Sequence, residues 1–357
     1  MGIYDAGMMF ASDNWAGAAP EIMTALSAAN DGSAAAYGGD DVTAEIERTF
    51  QEIFQTDLAV FFVATGTAAN ALSMASVSKV GGVVFAHEEA HVAVEECGAT
   101  QFATGGARIH RLPGRQGKLS PQTLSHAMAE YNPDMVHHGQ LAAASLTQMT
   151  EVGTVYTASE IAALSKVAHD GGLAVHMDGA RFANALAASN SAPADLTWRA
   201  GVDVMSFGGT KNGCWCAEAV LHFNPDHATD MKYLRMRGGH LFSKSRFVAA
   251  QFKGYFADGT WLRLAGQANA MGRKLADGIA ASSHARLAWQ PDGNEVFAIW
   301  PSDLSTRLRD AGAVFHEWPS AGLAEQDMPG DGESLIRLVA SFRTTDDDVG
   351  RFLAALD

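Results

Sequence analysis

Cysteine is scarce: Cys97, Cys214 and Cys216 are the whole supply in 357 residues. Three thiols cannot build a disulfide framework, and Cys214-Trp215-Cys216 is spaced by one residue instead of the two of a zinc or redox pair. They read as buried thiols in a reducing compartment. Positive charge is short as well. With 25 basic against 40 acidic residues the net charge is -15, which works against nonspecific binding to nucleic acid or to an anionic membrane surface. Small molecules are the expected partners. The opening MGIYDAGMMFASDN has neither the basic start nor the apolar run of a signal peptide, and no apolar segment approaches the length of a membrane span. A cytoplasmic location is the expectation. What remains is 47% hydrophobic, enough for a large core and for one big domain with a smaller companion.

Strand-like runs alternate with helical patterns through the middle of the chain: Leu58 to Val63, Val83 to Ala86, Leu141 to Leu146, Leu173 to Met177, Val202 to Phe207 and Ala219 to Phe223. Such alternation predicts an α/β domain with a mostly parallel sheet. Ala158 to His169 reads as one of the helices, opened by Thr157 as N-cap and stopped at Gly171-Gly172. After about residue 260 the pattern changes to a long helix over Trp261 to Ile279, a strand over Glu295 to Trp300, a helix near Ser302 to Asp310, a strand over Leu335 to Ser341 and a last helix. This predicts an N-terminal segment and large domain over 1–258 and a small α+β domain over 259–357, with a flexible loop over Gly322 to Glu333.

One motif pulls in another direction. His87-Glu88-Glu89-Ala90-His91 is the HExxH pattern that sets two zinc ligands and a catalytic Glu on one helical face. Yet Val83 to Ala86 after a Gly pair reads as a strand ending just before His87, which leaves only His91 in the following helix. No metal is expected.

Three other stretches carry chemistry together. In Phe62 to Asn70 a strand runs into Gly66 and Thr67, whose amides and hydroxyl stand at a helix N-terminus, a setting that favours a single phosphate. In Val175 to Arg181 an Asp ends a buried strand; a buried carboxylate needs a cation or donors, and a pyridinium N-H meets that need. Arg181 is suited to grip a carboxylate with two bonds, although an internal Asp-Arg ion pair accounts for the same stretch. In Val204 to Gly213 a strand delivers Lys211 to a glycine-rich loop, where a shielded lysine can form a Schiff base. A phosphate cradle, a carboxylate for a ring nitrogen and a reactive lysine, in that order, are what a fold type I pyridoxal phosphate (PLP) enzyme requires.

With these residues the chain resembles the low-specificity L-threonine aldolases. The motifs recur in order over nearly the whole chain: Phe10 to Asn14, Ala36 to Asp41, Gly66 to Asn70, His91 with Glu95 to Gly98, Leu146 to Glu151, His176 to Asn184, the segment around Lys211, and Ser243 to Phe247. The resemblance implies PLP-dependent cleavage of β-hydroxy-α-amino acids to glycine and an aldehyde, in a homotetramer (a dimer of dimers) whose sites are shared between subunits. It assigns the cofactor's phosphate to Gly66, Thr67 and Arg246, its ring nitrogen to Asp178, its ring face to His91 and its covalent attachment to Lys211. Arg181 is counted with both cofactor and substrate contacts. Ser12, Arg181 and Arg337 are expected on the substrate carboxylate, Tyr37 facing the site, and His91 or His137 as the base at the substrate hydroxyl. Where some family members carry a histidine after the central strand, this chain has Thr150. Trp15 and Trp215, tied in sequence to the substrate and cofactor segments, suggest β-aryl substrates such as phenylserine beside threonine and allo-threonine. The competing readings are a PLP-dependent aminotransferase, a zinc hydrolase and a noncatalytic scaffold.

Overall fold

Runs rich in Val, Ala and Phe become strands here because they are covered on both faces, as in the uninterrupted burial of Val83–His87, Val204–Gly208 and Glu218–His222. The computed structural model describes residues 7–320, 323 and 327–357. Its strands, in chain order, are β1 (Met8–Met9), β2 (Ala59–Val63), β3 (Val83–His87), β4 (Arg108–Leu112), β5 (Leu141–Thr147), β6 (Ala174–Gly179), β7 (Val204–Gly208), β8 (Glu218–His222), β9 (Arg286–Leu287), β10 (Glu295–Pro301), β11 (Ala313–Val314), β12 (His316–Glu317) and β13 (Glu333–Val339).

Seven strands form the main sheet in the order β2-β8-β7-β6-β5-β3-β4. Only β8 runs against its neighbours. The carboxyl ends of β2, β3, β5, β6 and β7 therefore share one edge, where open α/β sheets hold their ligands. The six expected strands are present within a residue or two of their expected limits. The seventh, β4, escapes sequence reading because Arg108-Ile109-His110-Arg111-Leu112 is half exposed at the sheet margin.

The smaller sheet, β12-β13-β10-β9, is antiparallel. A 22-residue helix, Thr260–Ala281, joins the two bodies. Its first turns place Trp261, Leu264 and Ala265 in the large core, and its later turns place Met271, Leu275 and Ile279 in the small one. The N-terminal segment touches both bodies: β1 pairs parallel with β11 and Phe10 is buried against Phe352 in the small core, with ring centroids 5.2 Å apart, while Ala19 and Ile22 pack in the large core. Apolar Met8 and Phe10 belong to the small core. Gly322 and residues 324–326 of the expected loop lie outside the described residues, and Glu333 itself opens β13.

Candidate active site

The lysine comes first because its surroundings are the most constrained. β7 ends in Gly208-Gly209, and a Cβ at Gly208 would stand 2.6 Å from the Ala180 carbonyl, so only glycine lets this turn close against the end of β6. A single 3-10 turn, Thr210–Asn212, then carries Lys211. Its neighbours are pinned: the Asn212 amide donates to Tyr255 Oη and the Trp261 carbonyl, each at 2.8 Å, and Thr210 Oγ1 accepts from the Ala217 amide at 3.2 Å. Lys211 is left on the wall of a cavity of about 830 Å³, in company with Ser12, His91, Glu151, Arg181, Glu295 and Arg337.

Asp178, near the end of β6, is buried and has no ion-pair partner among the described residues; its Oδ1 accepts from the Ala180 amide at 3.0 Å and its Oδ2 from Asn70 Nδ2 at 2.8 Å. A buried carboxylate served only by neutral donors has capacity for a cationic N-H. The sheet beneath it is polar but neutral: His176 lies between Ser145 (2.9 Å) and Ser206 (3.0 Å), and burial drives its imidazole down to about 4.

Asn70 also donates to Glu96 Oε1 at 2.8 Å, and the same oxygen accepts from His91 Nδ1 at 2.9 Å. A buried carboxylate at that nitrogen fixes the His91 proton on Nδ1 and, ahead of the opposing effect of burial, raises its pKa above the ordinary imidazole value. Asp178, Asn70, Glu96 and His91 thus form one hydrogen-bonded chain. His87 stands apart. It ends β3, accepts the Glu89 amide at Nδ1 (3.1 Å) and donates from Nε2 to the Gly114 carbonyl (2.9 Å). The HExxH pattern is thus split across a strand, a turn and the helix His91–Val94. Among the described residues no group of three His, Cys, Asp or Glu side chains is arranged to hold a metal ion.

At the sheet edge, Gly66 and Thr67 open the helix Gly66–Val77, capped by Thr65 Oγ1, which accepts from the Ala68 amide at 3.2 Å. No atom lies within 4 Å of a Cβ built on Gly66, so the amides at this turn are approachable.

The two arginines differ. Arg181 gives both edges of its fork to Asp13, at 2.7 and 3.1 Å, and pairs with Glu295 at 3.2 Å. An internal Asp-Arg pair exists, therefore, but its acid is Asp13 rather than Asp178. Against the burial that would raise it, the guanidinium holds the Asp13 carboxyl below its usual range. Arg337 stacks on Trp318, 4.3 Å from the ring centroid, reaches the Ala11 carbonyl at 3.4 Å, and keeps a buried Nε with no partner. Ser12 caps the turn Asp13–Trp15, accepting from the Asn14 amide at 3.2 Å, so its own hydroxyl proton remains available to an incoming carboxylate.

Six expected residues do not line this cavity: Asp178, Gly66 and Thr67, described above, with Thr67 on a separate cavity of about 600 Å³, and also His137, Tyr37 and Arg246. His137 is exposed in the turn before β5 and so sits at the amino end of that strand, the wrong edge of the sheet, roughly 20 Å of extended chain from the other end. Within one chain it does not reach this cavity. Tyr37 is 57% exposed at a positive φ, its amide bonded to the Ser243 carbonyl, and Arg246 reaches the Gly32 carbonyl at 3.5 Å on the same surface. Neither tryptophan singled out for substrate contact lines the cavity; Trp215 is 65% exposed, and the indole in the wall is Trp318. Glu96, Asp13, Glu295 and Glu151 received no role from sequence reading. Their partners lie far away along the chain, although the position of Glu151 just past β5 is a legible signal.

Fold and site together define an α/β protein with one lysine, Lys211, in the wall of a cavity that also holds His91, Arg181 and Arg337. The family model described as beta-eliminating lyase matches residues 9–300. The low-specificity L-threonine aldolase of Pseudomonas aeruginosa is 40% identical over 318 residues, 89% of this chain and 91% of that one, and its counterpart from a Pseudomonas species is 39% identical over the same length. The threonine aldolase structure from Leishmania major superposes with a TM-score of 0.89 at 26% identity, covering 98% of both chains. A Sphingomonas wittichii serine palmitoyltransferase, at TM-score 0.69 and 14% identity over 98% of this chain and 86% of that one, shares the fold alone. The chain belongs to the beta-eliminating lyases, and within them to the low-specificity L-threonine aldolases.

Proposed function

We propose that this protein is a PLP-dependent aldehyde-lyase that cleaves L-β-hydroxy-α-amino acids, threonine and allo-threonine among them, to glycine and an aldehyde. The observation that carries the reading is the pairing of Lys211, on the cavity wall, with a buried Asp178 that lacks a cation. These residues fit the cofactor. Lys211 would hold its aldehyde carbon, Gly66 and Thr67 its phosphate, Asp178 its protonated ring nitrogen and His91 its ring face. When bound, PLP supplies an electron sink for the pair left when Cα-Cβ breaks. The protein's part is orientation: Ser12 and Arg337 fix the substrate carboxylate, and Arg181, held by Asp13 and Glu295, stiffens the wall beside it. Trp318, Pro319 and Val94 add apolar surface to the cavity, which favours acceptance of a β-aryl group such as that of phenylserine.

Tyr37 and Arg246 have a place in this reading as residues offered to a second copy. The turn at Tyr37 is bonded to Ser243, close to Arg246, so both would enter a neighbouring site together. A homotetramer built as a dimer of dimers accommodates this. Among the described residues no helix is long and apolar enough to cross a membrane. The free thiols Cys97, Cys214 and Cys216 favour a cytoplasmic setting.

The test is direct. Purified protein should show a visible cofactor band that borohydride abolishes, with the label on the Lys211 peptide, and should release glycine from threonine, allo-threonine and phenylserine; their kcat/KM values rank the side chains. A label on another lysine defeats the site assignment. Amine transfer to a 2-oxo acid without glycine release would favour the aminotransferase.

A further inference from the structure

The roles assigned so far leave no base at the substrate hydroxyl. His137 is at the wrong edge, and Thr150 spends its hydroxyl on Thr154 Oγ1 at 2.8 Å. The next residue, Glu151, lines the same cavity as His91, Lys211 and Arg337. It is firmly held: Oε1 accepts from Thr147 Oγ1 and from the His91 backbone amide, both at 2.8 Å. Oε2 is enclosed, with no hydrogen-bond partner, and the side chain has no ion pair among the described residues. A carboxylate fixed at one oxygen and idle at the other, in the wall of a polar cavity, is equipped to exchange a proton.

We propose that Glu151 accepts the β-hydroxyl proton during cleavage, directly or through one water, and returns it to the aldehyde oxygen in the reverse reaction. The proposal rests on the aldolase reading above. In the step, the substrate O-H bond breaks and its proton passes to the carboxylate. The freed oxygen pair becomes the second bond of the aldehyde carbonyl, and the pair of the broken Cα-Cβ bond stays with Cα, which later takes up a proton to become glycine. No oxidant or reductant is needed.

Electrostatics support the division of labour. Burial, followed by the negative charge of Asp178, pushes the Glu151 carboxyl up to about 7. The backbone amide of His91 and the hydroxyl of Thr147 oppose the rise, and Arg181 and the phenol of Tyr156 are the titratable groups that feel its charge. Near neutral pH Glu151 is poised between its two forms, whereas Glu96 biases His91 toward the imidazolium, a poor base.

The experiment compares two reactions of the holoenzyme. Cleavage needs the hydroxyl base; deuterium exchange at the α-carbon of glycine, followed by NMR in D2O, does not. Glu151→Gln should lower kcat for cleavage by about 10²- to 10⁴-fold, the usual worth of a general base, while glycine exchange and cofactor content stay near wild type. In the cofactor-free protein, infrared titration should show a carboxylic acid band with a midpoint near 7 that is missing from Glu151→Gln. Equal loss of cleavage and exchange would reduce Glu151 to a support for His91 and overturn the proposal, as would full cleavage by the variant. If Glu151→Gln does not fold, Thr147→Val serves: it removes a donor to the ionised form, so the acid limb of cleavage should move to higher pH, and an unmoved limb overturns the proposal. Wild-type protein that exchanges glycine yet cleaves no β-hydroxy amino acid sinks the aldolase reading and this proposal together. Cleavage that survives in Glu151→Gln sinks only the latter.

Discussion

Arg181 and Arg337 face one cavity and carry the same charge, yet replacing them should produce opposite phenotypes. Two carboxylates hold Arg181: Asp13 through two hydrogen bonds at 2.7 and 3.1 Å and Glu295 as an ion pair at 3.2 Å. Arg337 has one long bond to a carbonyl at 3.4 Å, an indole beneath it and an idle Nε. Among the described residues Arg337 has no carboxylate partner, so its charge is open to a substrate carboxylate. A charge-assisted hydrogen bond contributes about 1.5–3 kcal/mol, so losing the one or two that Arg337 can make costs binding about 2–4 kcal/mol. At about 1.4 kcal/mol per tenfold, Arg337→Ala should raise KM for threonine roughly 30- to 1000-fold, with a modest effect on folding. Arg337→Lys should fall between, keeping the charge and losing the fork. Arg181→Ala leaves Asp13 and Glu295 buried without their cation, and breaking a buried pair from one side costs about 3–5 kcal/mol of stability. Its signature is a lowered denaturation midpoint. Saturation kinetics and chemical denaturation of the three variants decide the matter. The reasoning is refuted if Arg337→Ala leaves KM within a few-fold of wild type, or if Arg181→Ala raises KM as strongly while melting normally.

Two further outcomes follow from the hydrogen-bonded chain between Asp178 and His91. Asp178→Asn should keep the cofactor bound but slow both cleavage and glycine exchange, because the ring nitrogen loses the carboxylate that keeps it protonated; unchanged rates with an unchanged cofactor band would refute this. Glu96→Gln should lower the His91 midpoint, read by NMR titration of the ring protons, since the carboxylate at Nδ1 is the largest cause of its upward shift. The sign extends to stability. A histidine whose folded pKa is raised contributes stability that is full below its unfolded value near 6.5 and is lost as pH rises through the folded one. Glu96→Gln should therefore be more destabilising in mild acid than in alkali, and a pH-independent difference would argue against the pair.

Several residues legible from sequence share one property: each stands at or just beyond the carboxyl end of a buried strand. A mostly parallel sheet turns that local fact into a three-dimensional one, since all such ends meet at one edge. Gly66, Asp178 and Lys211 were readable from this position together with their residue types, and His91 through the family resemblance. His137 stands beside a strand too, but before it, and chain direction sends it to the far edge.

The pairings were illegible because nothing local encodes them. Asp13 meets Arg181 across 168 residues, Asn70 meets Asp178 across 108, and Asn294 meets Asp13 across 281. The N-terminal segment therefore looked like a prelude to the large domain, when it supplies both Ser12 to the cavity wall and the counter-ion that holds Arg181. Arg181 and Arg337 cannot be told apart by their sequence neighbourhoods, only by which carboxylates the fold delivers to each. Glu151 lies between the two cases. Its place after β5 obeys the same rule that exposed Asp178 and Lys211, so its presence at the edge could have been inferred. That it acts there as a base depends on an idle oxygen, an imidazole already committed to Glu96 and a threonine already committed to Thr154, and each of those is a fact about partners.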